Sequence, residues 1–187
     1  KKMKQFKIGV VVGSLRKESF NKKTANALVE NAPENMSFEF LEIGNLELYS
    51  EDLDLTPPQS WVDFRNKVKS LDAVLFVTPE YNRSVPGVLK NAIDIASRPW
   101  GQSVWNAKPA AIVSVTIGGT GAFGANHHLR QTLAFLNMAV LAQPEAYISN
   151  AMSLFDESGK LTDDSTKDFF GRFMQAFAGL IETNVGR

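Results

Sequence analysis

The chain has 187 residues, of which 44% are hydrophobic, and this length and apolar content fit one domain with a full core. Its 20 basic and 20 acidic residues give zero net charge, so no overall field favours nucleic acid or an acidic membrane surface. The lack of cysteine excludes disulfides, thiolate catalysis and cysteine-bound metals. The histidines, His127 and His128, are sequence neighbours that would point to different faces of a helix, so we expect no metal site.

The basic residues at the start of the chain lead into an apolar run of strand length only. Such a run is too short for the apolar core of a signal peptide and far too short to span a bilayer. We therefore expect a cytoplasmic protein in which residues 1–187 form one domain, without a nucleic-acid or membrane partner.

A strand, a polar loop and a helix are predicted first. The β-branched run 7–12 ends at Gly13, and Asn21 opens a segment with helical spacing. Backbone N–H groups at the start of a helix point outward with the positive end of its dipole, which favours an anion. Ser14 and Ser19, together with Asn21, add neutral hydrogen-bond donors. The loop is therefore predicted to bind an anionic group.

The composition of this loop favours a single terminal phosphate. Arg16 offers a positive, forked donor that can hold two phosphate oxygens at once. A dinucleotide loop would read G-x-G-x-x-G and a Walker loop G-x-x-x-x-G-K-[ST], whereas this loop has one glycine and several hydroxyls. Hydroxyls suit a monophosphate better than a pyrophosphate, which needs glycines for close approach. The alternative is that Ser19 and Asn21 only cap the helix.

The rest of the chain alternates helices and strands. Helical spacing is predicted over 22–32, 61–68, 86–97, 127–137 and 163–182. Strands are predicted over 37–43, 72–77 and 109–115, and a short fifth strand is predicted around Pro144 within 140–148. This alternation implies right-handed crossovers and a parallel sheet between helix layers. With five strands, we expect a doubly wound α/β fold of strand order 2-1-3-4-5 with helices on both faces.

In that strand order, the carboxyl ends of the first, third and fourth strands meet at one crevice. The loops 13–20, 78–84 and 116–121 lie at those three ends. Pro79 and Tyr81, beside glycine-rich backbone, suit a flat aromatic ring, and a flat ring with a phosphate tail describes FMN. The backbone of the second loop and the amide of Asn82 could bond the polar edge of that ring.

No catalytic side chain is predicted. Glu80 could act as a general base, but we interpret it as a loop carboxylate because hydride chemistry on a flavin belongs to the cofactor. Ser14 has no nearby histidine in the sequence and lacks the G-x-S-x-G frame of a serine nucleophile.

Two stretches carry a family resemblance. They read Gly13-Ser14-Leu15-Arg16-Lys17-Glu18-Ser19-Phe20-Asn21 and Pro79-Glu80-Tyr81-Asn82-Arg83-Ser84-Val85-Pro86-Gly87-Val88-Leu89-Lys90-Asn91-Ala92-Ile93-Asp94. Together they resemble the NADPH-dependent FMN reductase family, whose fold is flavodoxin-like, and within it the quinone and chromate reductases that keep FMN bound. The similarity runs from about Phe6 to the last helix.

The resemblance also implies a set of cofactor-binding residues. At the FMN phosphate it implies Ser14, Arg16, Ser19, Phe20 and Asn21. Along the isoalloxazine it implies Pro79, Glu80, Tyr81 and Asn82, with Ser84 nearby, and as a third wall Thr116, Ile117 and Gly118. Some relatives carry an arginine near the position of Gly124, so its absence here bears on acceptor preference and on contacts between dimers.

The implied activity is that of an FMN-dependent NAD(P)H oxidoreductase that reduces quinones, and other acceptors such as chromate or azo compounds. In this hypothesis NADPH or NADH delivers a hydride to flavin N5 and leaves before the acceptor binds. Relatives are homodimers or tetramers, so self-association is expected. The alternative is a flavodoxin-like FMN electron carrier without NAD(P)H oxidase activity of its own, but such carriers are strongly acidic and this chain is neutral.

Overall fold

One parallel β-sheet organises the computed structural model, which describes residues 3–185. Within that range its strands are β1 (Phe6–Val12), β2 (Met36–Phe40), β3 (Ala73–Thr78), β4 (Pro109–Val115), β5 (Ala139–Val140) and β6 (Tyr147–Ile148). The α-helices of the same range are α1 (Phe20–Glu30), α2 (Gln59–Ser70), α3 (Gly87–Ala96), α4 (Phe123–Phe135) and α5 (Asp164–Asn184). The strand order is β2-β1-β3-β4-β5, and β6 also pairs with β4. The predicted doubly wound order is confirmed.

The central strands β3 and β4 are buried along their whole length. Successive side chains of β3 face opposite helix layers, because side chains alternate along a strand. Leu75 and Val77 pack into one hydrophobic cluster, whereas Val74 and Phe76 pack into the other. Burial on both faces explains why these strands read as continuous apolar runs in the sequence.

Two helix layers cover the sheet. On one face, Leu28 of α1 packs in a cluster with Phe173 of α5. On the other face, Trp61 of α2, Ile93 of α3 and Leu133 of α4 share a second cluster. In the part of the chain that the structure describes, no helix is both long enough and apolar enough to cross a bilayer.

The largest difference from prediction lies in the fifth strand, which was expected as one short strand around Pro144 within 140–148. Instead, β5 pairs with the start of β4 and β6 pairs with its end, so residues 141–146 are not part of a strand. Pro144 lies in that segment and has no backbone N–H to donate to a strand ladder. The predicted five-stranded sheet therefore has six strands within the described range.

Candidate functional site

The three predicted loops meet at the carboxyl ends of β1, β3 and β4, where they enclose a cavity of about 160 Å³. We call this the three-loop cavity. Its lining includes most of the residues that the sequence singled out, namely Ser14, Arg16, Ser19, Phe20, Asn21, Pro79, Glu80, Tyr81, Thr116 and Ile117, together with Val115. Segments that are more than 100 residues apart in the sequence therefore face one another, because the parallel strands end at one edge of the sheet.

Gly13 lets the first loop approach the second. Its N–H donates to the carbonyl of Val77 at 2.8 Å. A Cβ at this position would lie 3.2 Å from Cδ of Pro79 and 3.3 Å from Oγ1 of Thr78, closer than nearly all real Cβ contacts. The single glycine of the loop is therefore used for packing between the two loops.

Ser19 caps α1, as the alternative interpretation of the first loop expected. Its Oγ accepts hydrogen bonds from the N–H groups of Asn21 at 3.2 Å and Lys22 at 3.3 Å. Among residues 3–185, however, the N–H groups of 14–18 find no protein acceptor. These free donors lie beside the positive end of the α1 dipole, where an anion is favoured.

The polar atoms of this loop fit the phosphate end of FMN. Arg16 lines the cavity and is exposed, so its positive charge is free to pair with a phosphate monoester. Oδ1 of Asn21 is buried and has no hydrogen-bond partner within the described residues. An unpaired buried acceptor calls for a donor, which a hydroxyl of the sugar-alcohol chain of FMN could provide. Helix capping and ligand binding are thus compatible at this loop.

The second loop contains a tight two-residue turn. The backbones of Tyr81 and Ser84 bond to each other in both directions, at 2.9 and 3.1 Å, and Asn82 and Arg83 between them have φ angles of 53° and 64°. These values are typical of a type I′ turn. Oγ of Ser84 bonds Nδ1 of His128 at 2.9 Å. Neither Asn82 nor Ser84 lines the three-loop cavity.

Glu80 serves as a cap for a distant helix. One carboxylate oxygen accepts a hydrogen bond from the N–H of Ala125 in the first turn of α4, at 3.1 Å, and the other pairs with Arg83. Ala122, at the start of α4, has no capping side chain. A carboxylate here satisfies a free N–H and complements the positive end of the helix dipole. This engagement supports the interpretation of Glu80 as a loop carboxylate.

Gly124 lies inside the first turn of α4 and not in the loop before it. A Cβ at this position would lie 2.8 Å from Oε2 of Glu80 and 3.0 Å from the carbonyl oxygen of Arg83. An arginine at this position would collide with the second loop. The absence of a side chain is therefore what allows α4 to pack against Glu80.

The third loop is held by the segment that follows β6. The N–H of Asn150 donates to the carbonyl of Gly118 at 2.9 Å, the N–H of Ala151 donates to Thr116 at 3.1 Å, and Oγ of Ser149 donates to Gly119 at 3.1 Å. Sequence reasoning missed these supports because contacts between segments about 30 residues apart leave no local signal in the sequence. Gly118 is exposed and lies outside the cavity lining, although Thr116 and Ile117 line it.

The strand order and the loop after β1 define the class of this protein. A sheet of order 2-1-3-4-5, with a loop of free N–H groups after its first strand and two further loops at the same edge, is a flavodoxin-like α/β fold. Residues 6–153 match the family described as NADPH-dependent FMN reductase, and the chain belongs to that family.

Similar proteins agree with this assignment. A quinone reductase of Pseudomonas putida is 54% identical over 180 residues, which cover 96% of each chain. A 2-hydroxy-1,4-benzoquinone reductase of a Burkholderia species is 47% identical over 175 residues, covering 94% of this chain and 96% of the relative. The solved structure of FerB, a flavoenzyme NAD(P)H:(acceptor) oxidoreductase from Paracoccus denitrificans, superposes with a TM-score of 0.90 at 40% identity, covering 96% and 98% of the two chains.

These findings confirm the predicted family, the NAD(P)H-dependent oxidoreductase class and FMN as the cofactor. They favour the enzyme over the electron carrier, because the relatives are named as reductases of quinones or of FMN.

Proposed function

We propose that this chain is a quinone reductase that binds FMN in the three-loop cavity and uses NADPH or NADH as its reductant. The observation that carries the proposal is the meeting of three distant loops around free N–H groups, an arginine and an unpaired buried amide oxygen. In this proposal Ser14, Arg16, Ser19, Phe20 and Asn21 hold the phosphate end. The ring lies along Pro79, Glu80, Tyr81, Asn82, Ser84, Thr116, Ile117 and Gly118.

The size of the cavity supports an exposed ring. Its volume of about 160 Å³ is below the ~300–1,000 Å³ that complete small-molecule sites usually have. Only one end of FMN would therefore be enclosed, and the ring would extend over Tyr81 and Ile117, which are 50% and 58% exposed. One open ring face can serve NAD(P)H and then a small-molecule acceptor in turn, which favours a ping-pong order.

When bound, FMN supplies the hydride chemistry, taking a hydride from NAD(P)H at N5 and passing reducing equivalents to the acceptor. The residues of this chain bind FMN and orient it. Arg16 and the free N–H groups of the first loop anchor the tail, while the turn at 81–84 and the third loop fix the walls. Glu80 is committed to α4, so no proton transfer is assigned to it.

We also propose that the chain works as a homodimer or tetramer in the cytoplasm, where NAD(P)H is available. Leu48, Leu55 and Trp100 are at least 80% exposed, and contact with a second copy of the chain would remove such apolar surface from water. Chromate and azo compounds are proposed as further acceptors that an exposed ring could reduce. Sedimentation equilibrium of the purified protein measures the oligomeric state directly.

The test of the activity is a visible absorption spectrum of the purified protein, recorded before and after anaerobic NADPH and again after addition of a quinone. We expect flavin bands that bleach within seconds and return with the quinone. Bleaching over many minutes would favour the electron carrier. A protein that stays colourless after incubation with FMN would refute the assignment of the three-loop cavity.

A further inference from the structure

A second cleft, of about 560 Å³, lies at the opposite edge of the sheet. It is formed by the second half of α2, by the connection between α3 and β4, and by Lys108. Because Lys108 directly precedes β4 and Lys69 lies in the last turn of α2, this cleft faces the amino ends of the strands. It shares no lining residue with the three-loop cavity, so we treat it as a separate site, the basic cleft.

The basic cleft is lined by four cationic side chains and by no carboxylate. They are Arg65, Lys69, Arg98 and Lys108. The charge of Arg98 is matched from outside the lining by Asp54 at 2.9 Å and Glu51 at 3.2 Å. Burial lowers the pKa of Lys108, whose ammonium donates to the carbonyl of Leu71, and burial also lowers the pKa of the Arg65 guanidinium. An anion in the cleft would compensate this desolvation.

Two polar atoms of the cleft lack partners. Nη2 of Arg65 and Oγ of Ser103 are buried, and neither forms a hydrogen bond within residues 3–185. The same guanidinium is fixed in place, because its Nε donates to the carbonyl of Ile95 at 3.0 Å. Buried donors are almost always paired in proteins, so an unpaired guanidinium nitrogen and hydroxyl in one cleft point to a missing acceptor.

We propose that the basic cleft binds a phosphate-bearing small molecule. Nη2 of Arg65 and the hydroxyl of Ser103 would donate to phosphate oxygens, and the ammonium groups of Lys69 and Lys108 would balance the second negative charge. Asn66 supplies an amide at the rim. The volume lies within the range of complete small-molecule sites and leaves room for more than one phosphate group.

Part of the positive charge in the basic cleft can be explained without a ligand. Lys67 and Lys69 both lie in the last turn of α2, where positive charge complements the helix dipole whatever the surroundings. Lys67, however, pairs with Glu39 at 3.3 Å and does not line the cleft. It is therefore a matched control for Lys69. The other explanation is a single water that bridges Arg65 to Oδ1 of Asp54, which is also buried without a partner.

The experiment is isothermal titration calorimetry of the FMN-loaded protein with pyrophosphate, ADP and adenosine. FMN blocks the first-loop anion site, and the flavin spectrum reports that each variant is folded and loaded. We expect one pyrophosphate per chain, with affinity that falls as salt rises. Ser103→Ala and Lys69→Gln should each weaken binding by about tenfold or more, the effect of a hydrogen bond to a charged group, whereas Lys67→Gln should bind like the wild type.

The ligands separate the possible sources of the phosphate. ADP binding more tightly than pyrophosphate would identify a nucleotide, and pyrophosphate binding alone would identify a free polyphosphate. Adenosine binding as tightly as ADP would overturn the phosphate assignment. Absence of pyrophosphate binding would show that the cleft holds only water. Equal affinity in all three variants would show that pyrophosphate binds outside the cleft, which overturns the proposal as well.

Discussion

Arg16 and Glu80 are the charged side chains that line the three-loop cavity, and they differ in how they are held. Arg16 is exposed in a loop with free N–H groups, so its charge is available to a ligand. Glu80 is 9% exposed and already engaged by Ala125 and Arg83. Of the two charged groups at this site, Arg16 is therefore free to bind a ligand, whereas Glu80 supports α4.

Replacing Arg16 with alanine should weaken FMN binding. A hydrogen bond to a charged group contributes about 1.5–3 kcal/mol, which corresponds to a roughly 10- to 100-fold rise in the dissociation constant. Fluorescence titration of the apoprotein with FMN measures this dissociation constant. Lys17→Ala removes the same charge one residue away, from an exposed side chain outside the cavity lining, and should change the affinity less than about threefold. Unchanged affinity in Arg16→Ala would contradict its assigned role.

Replacing Glu80 distinguishes a role in supporting α4 from a role in proton transfer. Glu80→Gln keeps an oxygen for the N–H of Ala125 and loses only an ion pair with an exposed arginine, so we expect turnover within a few-fold of wild type and a stability loss of about 1 kcal/mol or less. Glu80→Ala leaves that N–H unpaired and should lower the free energy of unfolding by about 1–3 kcal/mol. Steady-state rates and urea unfolding measure both. Loss of turnover in Glu80→Gln with FMN still bound would make Glu80 a proton-transfer group.

At the scale of elements, the sequence predicts those strands, helices and loops whose structure is determined by their own residues. The apolar runs of β3 and β4 and the polar loop after β1 carry their own signals, so the sheet order and most of the cavity lining could be predicted. The start of α4 was expected at residue 127 and lies at Phe123, because its cap comes from Glu80, 45 residues earlier in the chain. Val115 was missed because an apolar residue at the end of a buried strand gives no sign of a ligand.

Asn91 links α3 to the long connection 44–58. Its Nδ2 donates to the carbonyls of Leu46 at 3.4 Å and Glu47 at 3.2 Å, and its Oδ1 accepts from the N–H of Tyr49 at 2.9 Å. The stretch 79–94, which contains Asn91, therefore positions the connection 44–58 as well as the loop 78–84. No local signal in the sequence predicts this contact, since the partners lie more than 40 residues apart.

Asn91→Leu should release this connection. Three hydrogen bonds at about 0.5–1.5 kcal/mol each predict a loss of about 1.5–4.5 kcal/mol in the free energy of unfolding, and faster proteolysis within 44–58. Urea unfolding and mapped limited proteolysis measure the two effects. Lys90→Ala on the same helix removes only a surface pair with Asp94 and should cost about 0.5 kcal/mol or less. If both variants behave alike, Asn91 does not hold the connection.

At the scale of the whole molecule, one parallel sheet separates two polar regions. The free N–H groups and Arg16 gather at the carboxyl edge, and the basic cleft gathers at the amino edge. The net charge of zero gives no sign of either region, because acidic side chains elsewhere balance their positive charge. Ligand binding at the carboxyl edge should stabilise the entire fold, since that edge joins three loops from β1, β3 and β4 to the cores on both faces.

The thermal midpoint should therefore rise with FMN and depend on its phosphate. At a concentration of about 100 times the dissociation constant, a ligand stabilises the native state by about 2.7 kcal/mol. In a chain of 187 residues this corresponds to a rise of roughly 5–11 °C, measurable by differential scanning calorimetry. Riboflavin has the same ring and sugar-alcohol chain but no phosphate, so at equal concentration its shift should be less than about half as large if the first loop contributes a charged hydrogen bond. Equal shifts for both ligands would mean that the ring walls provide the affinity and that the loop after β1 does not hold the phosphate.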